Sequence, residues 1–162
     1  MLVSSRHLSL ASPVFKAMLQ HSFKEGETLL QAGKVEVPLP DDDPIAFGIL
    51  MRILHAQNHL VPKAVDVSLL AKLAILVDKY GLHNAAGVWA DAWVAKLSQS
   101  IPQTLDKNLV LWICIAWVFR QSEVFEAVIL IAAKSPADDL LQISNNIPGF
   151  PDLPLPVNMI GR

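Results

Sequence analysis

The 162 residues include 13 basic and 15 acidic side chains and are 52% hydrophobic, a balance that belongs to globular proteins and excludes the disordered and fibrous classes. A formal charge of -2, with lysines and arginines spread thinly, gives no field to attract phosphate, so direct nucleic-acid binding is not expected. The most apolar run, residues 109–119, is too short for a membrane span, which needs about 20 residues, and reads as a buried helix.

In chain order, Met1 to Val3 reads as a strand end. Ser4 and Ser5 then precede Leu8, Leu10 and Ala11, and Ser12-Pro13 supplies a helix N-cap with a first-turn proline. Two short helices are predicted here, the second with Val14, Phe15, Met18 and Leu19 at helical intervals, and Gly26 and Gly33 punctuate the polar stretch that ends it. Lys34 to Val37 alternates polar and apolar as a strand with one buried face does, and Pro38 and Pro40 stop it.

Asp43-Pro44 repeats the cap-plus-proline signal ahead of an apolar stripe of Ile45, Ile49, Leu50, Ile53 and Leu54, which fades near His55. Asp66 caps a further helix running from Leu69 to Tyr80, ended by Gly81. The next, residues 84–97, buries Trp89 and Trp93 one turn apart. Beyond Ser100-Ile101-Pro102, helices over 106–120 and 123–134 are separated only by Gln121 and Ser122 and are expected to pack as a pair, with Trp112 and Trp117 holding them in the core. Pro136, Pro148, Pro151, Pro154 and Pro156 predict an extended tail over 135–162.

Two stretches carry a family resemblance. Residues 3–19 (VSSRHLSLASPVFKAML) with Phe23-Lys24-Glu25, and residues 35–47 (VEVPLPDDDPIAF), resemble the first helix pair and the following strand, acidic loop and Asp-Pro helix start of BTB/POZ domains, in the fungal style. The helical pattern from Leu69 to Trp93 continues the likeness. The resemblance implies an α+β chain: a mostly helical BTB/POZ fold with a small residual sheet over residues 1–97, a helical extension over 98–134 and the proline-rich tail over 135–162. Relatives begin one or two strands earlier, so the domain is expected to be N-terminally shortened, without the first strand that exchanges between subunits.

The function implied is a non-enzymatic protein-interaction module that pairs with itself and with an unidentified protein partner. A cullin scaffold, with the chain as substrate adaptor of a ubiquitin ligase, is the alternative. Leu8, Leu10, Val14, Phe15, Met18 and Leu19 supply more apolar surface than two short helices hide in one direction, and are the expected homodimer interface.

A rival reading is a metal-dependent hydrolase built on Asp41, Asp42 and Asp43 with His55 or His59. Capping of the helix after Asp43 accounts for the carboxylates, and the His55–His59 interval lacks the glutamate of a metalloprotease helix, so neither a metal nor another cofactor is expected. Cys114, between Ile113 and Ile115, reads as an inert core thiol. A single cysteine and no legible secretory leader point to the nucleus or cytoplasm.

Overall fold

The computed structural model describes residues 1–20, 23–151 and 153–156. Its helices are α1 (Ser5–Ala11), α2 (Pro13–Met18), α3 (Lys24–Ala32), α4 (Pro44–Leu54), α5 (Val67–Tyr80), α6 (His83–Leu97), α7 (Lys107–Val118), α8 (Ser122–Ala132) and α9 (Ala137–Ser144), with single 3-10 turns at Asn58–Leu60 and Ser98–Ser100. None is long and apolar enough to cross a membrane, among the described residues.

The described residues contain no strand and no sheet, which corrects the expected α+β class to all-helical. The period-two pattern of residues 34–40 is nonetheless real: Val35, Val37 and Leu39 are half-buried while Lys34, Glu36, Pro38 and Pro40 are exposed. Alternation decides which side chains face inward, but a ladder needs a second backbone in register. Neither Met1–Val3 nor any other described segment provides one.

The described residues divide into two compact units, those within Met1–Pro62 and Leu76–Ala86, and those within Lys63–Ile75 and from Gly87 onward. In the first, a single residue joins α1 to α2. The Ser12 N–H donates to Leu8 O at the end of α1, and the Ser12 hydroxyl accepts from Phe15 N at the start of α2. Asp43 opens α4 by accepting from Ile45 N and Ala46 N at 3.0 and 2.9 Å, with Pro44 in the first turn as the sequence predicts. The stretch around Gly26, read from sequence as a break, is instead helical in α3. A Cβ at Gly26 would stand 1.8 Å from the Gln20 carbonyl oxygen, so the glycine permits a close backbone approach there.

In the second unit, Asp66 and Asp106 cap α5 and α7 by accepting from Leu69 N and Leu109 N. Every residue from Leu109 to Ala116 is buried, and α7 packs against both α8 and α9. Trp93 and Trp112 are fully buried, but Trp117 is 49% exposed beside the Phe125 ring, centroids 5.8 Å apart. Val110 and Ile113 lie on the same side of α7 as Trp117 and are fully buried, so the exposure of Trp117 follows from its place in the last turn of the helix rather than from its face.

Within the predicted tail, α9 is an unexpected element. Pro136 stands at its N-cap, no proline recurs before Pro148, and Asp138 and Asp139 in the first turn favour the positive end of the helix dipole. Leu140, Ile147 and Phe150 are buried, which holds the segment to its unit.

Candidate interaction surface

Ser12 fixes the seat of the helix pair. Its hydroxyl, buried with the residue, donates to the Tyr80 carbonyl at 2.6 Å while capping α2, so both hydrogen-bonding roles of one side chain are used. Three residues on, Phe15 is buried and stacks on the Tyr80 ring, centroids 4.5 Å apart and planes inclined by 11°. Phe47 meets both rings edge-on. Gly81, at φ +64°, turns the chain directly after Tyr80, and a Cβ there would meet Pro13 at 3.0 Å.

Beyond the rings, the Tyr80 hydroxyl donates to Asp42 Oδ2 at 2.5 Å, and Lys79 Nζ lies 2.6 Å from Asp42 Oδ1. The Asp42 side chain is only 3% exposed, so its charge is balanced inside the cluster rather than by water. Burial, then the hydrogen bond to Asp42, then the carboxylate's charge push the Tyr80 hydroxyl well above the ordinary tyrosine range. Residues of the first motif (Ser12, Phe15), the second (Asp42, Phe47) and the later helical stretch (Lys79, Tyr80) thus converge on one point.

This seat divides the six residues assigned to the interface from sequence. Leu8 and Phe15 point inward, 6% and 3% exposed, and are unit core rather than contact surface. Met18 and Leu19 are half-buried. Leu10 is 87% exposed and Val14 38%, both open to solvent on α1 and α2. Val14 and Met18, together with Pro13, Ala17, Phe23 and Glu25, line an open groove of about 610 Å³. Pro13, Ala17, Phe23 and Glu25 are lining residues outside the six assigned to the interface from sequence, and Phe23 is the large apolar one among them. Its signal was an isolated aromatic in a polar stretch, with no periodic partner to give it a helix face.

The residues that suggested hydrolysis are dispersed and occupied. Asp42 holds Tyr80 and Lys79, Asp43 caps α4, and Asp41 is exposed. His55 ends α4, where its Nε2 accepts from the Ser4 backbone N–H at 2.9 Å, and Nδ1 therefore carries the proton toward Met51 O at 2.8 Å. His59 lies apart in the 3-10 turn. Among the described residues no three His, Cys, Asp or Glu side chains stand close enough to hold a metal ion. Cys114 forms no disulfide and is buried in α7. No protein-family model, curated protein or solved structure matches the chain.

Proposed function

We propose that the chain is a non-enzymatic protein-interaction module related to the BTB/POZ domains, which associates with a second copy through the α1–α2 helix pair and acts inside the cell, where its lone thiol stays reduced. The observation that carries this reading is the solvent-open apolar surface of Leu10, Val14 and the adjoining groove, borne on a helix pair that Ser12 and Phe15 fasten to Tyr80. Rigid placement of exposed apolar side chains lowers the ordering cost of binding. The same fastening residues are those on which the family resemblance rests.

An interaction role is further supported by where the chemically suggestive groups are spent: Asp42, Asp43 and His55 all serve internal hydrogen bonds. Sedimentation velocity over a concentration series tests the reading. A concentration-dependent dimer that weakens in Leu10→Glu and Val14→Glu is the expected result, and a strict monomer at high micromolar concentration overturns it.

A further inference from the structure

From Lys34 to Leu39 the chain runs without turn or bend, and the backbone groups of Lys34, Val35, Glu36 and Val37 have no hydrogen-bond partner among the described residues. The side chains alternate as in a strand, Lys34 and Glu36 outward, Val35 and Val37 half-covered. An open backbone edge of this kind is a template for another strand. We propose that it pairs with the same segment of a second copy, as a short antiparallel ribbon centred on Val35.

Charge and proline positions select both the occupant and the register. Two identical antiparallel strands are related by a two-fold axis through the ribbon, and since paired residues must share a face, that axis passes through a residue pair. Centring on Lys34 sets ammonium against ammonium. A centre at Glu36 sets carboxylate against carboxylate and brings Pro38, which has no N–H, opposite Lys34. Moving the centre to Val37 puts Pro38 opposite Glu36.

Only centring on Val35 removes each conflict. Lys34 then faces the partner's Glu36 and Glu36 faces the partner's Lys34 on the exposed side, while Val35 meets the partner's Val35 on the half-buried side. Opposite charges directly across a ladder stabilise it and like charges destabilise it, so the sequence is complementary to itself in this register. With Lys34 and Glu36 as the hydrogen-bonded pairs, four backbone bonds form and both prolines lie outside the ladder.

This contact is separate from the helix-pair surface, so its test is run in the otherwise native chain and in the Leu10→Glu, Val14→Glu background. In that register the two Val35 positions form a non-hydrogen-bonded pair with Cα atoms about 4.5 Å apart, within disulfide reach. Under mild oxidation Val35→Cys should cross-link chain to chain while Val37→Cys, facing Gly33 of the other copy, does not; buried Cys114 stays out of the reaction. Glu36→Lys should weaken association about tenfold, through two pairs turned repulsive, and adding Lys34→Glu should restore it. Equal cross-linking at Val35→Cys and Val37→Cys, absence of cross-linking at both, or a charge swap that fails to rescue overturns the ribbon. Loss of association in Leu10→Glu, with none of the ribbon variants affecting it, overturns the ribbon and leaves the helix-pair reading intact.

Discussion

The Ser12 side chain donates to the backbone carbonyl of Tyr80 across a sequence separation of 68 residues, at 2.6 Å and within the core. Since the same oxygen caps α2, Ser12→Ala removes an N-cap and leaves a buried acceptor unmatched. A loss of about 2–3 kcal/mol is expected from these two effects together. Denaturant unfolding followed by circular dichroism measures it, with Ser12→Thr, which keeps the hydroxyl, recovering part of the loss.

Alkaline pH should destabilise the protein through Tyr80. Its folded-state pKa is raised, so the folded chain keeps a proton that the unfolded chain releases above about pH 10. The stability linked to Tyr80 is therefore complete below that pH and is lost as pH rises through and beyond it. Tyr80 is the sole tyrosine, so tyrosinate absorbance reports this one group. Tyr80→Phe should flatten the alkaline decline, and an unchanged slope would show that the hydroxyl takes no part.

The two tryptophans of α7 should separate sharply on truncation. Trp112 is fully buried, and Trp112→Ala is expected to cost about 3–5 kcal/mol. Trp117→Ala, at a half-exposed site, should cost no more than about half of that. Thermal melts of both variants decide the order. Because the Trp112 Nε1–H is buried without an acceptor among the described residues, Trp112→Phe should be far milder than Trp112→Ala, as it removes the unmatched donor and keeps most of the ring.

His55 holds the entry to α1 by accepting from Ser4 N–H. His55→Phe keeps a ring in place and removes the acceptor, so the start of α1 should fray at a cost of about 1 kcal/mol. Hydrogen exchange at residues 4–7 should quicken while α7 amides keep their protection. Uniform loss of protection would show that the bond supports the whole fold instead.

The parts of the fold legible in the sequence are those written in local chemistry. Asp43-Pro44, Ser12-Pro13 and Asp66 each mark a helix start because a cap and its target amides lie within three residues. Gly81 marks a helix end through a backbone conformation that glycine alone adopts cheaply. Sheet pairing was misread at Lys34–Val37 because alternation is local whereas a partner strand is not. The Asp42–Tyr80 and Ser12–Tyr80 contacts were invisible for the same reason: nothing in DDDP or in DKYG specifies that the two meet.

At the candidate surface, the six apolar residues of the helix pair were legible as a group but not as inward or outward. Leu8 and Leu10 differ by two positions, which on a helix is about 200°, enough to send one into the core and leave the other in water. In α9, counting prolines concealed the interval between Pro136 and Pro148, where the helix forms.

The first unit is assembled from two pieces of chain, Met1–Pro62 and Leu76–Ala86, and this sets an order of events during synthesis. The α1–α2 pair leaves the ribosome before its seat exists. At about 5–20 residues per second, the 68 residues between Ser12 and Tyr80 take several seconds to translate. Throughout that interval Phe15 has no Tyr80 ring to stack on and the Ser12 hydroxyl has no carbonyl to meet. The nascent helix pair thus keeps its inward face uncovered until Tyr80 has emerged, and a ribosome stalled before Lys79 would display an apolar segment unable to complete its own fold.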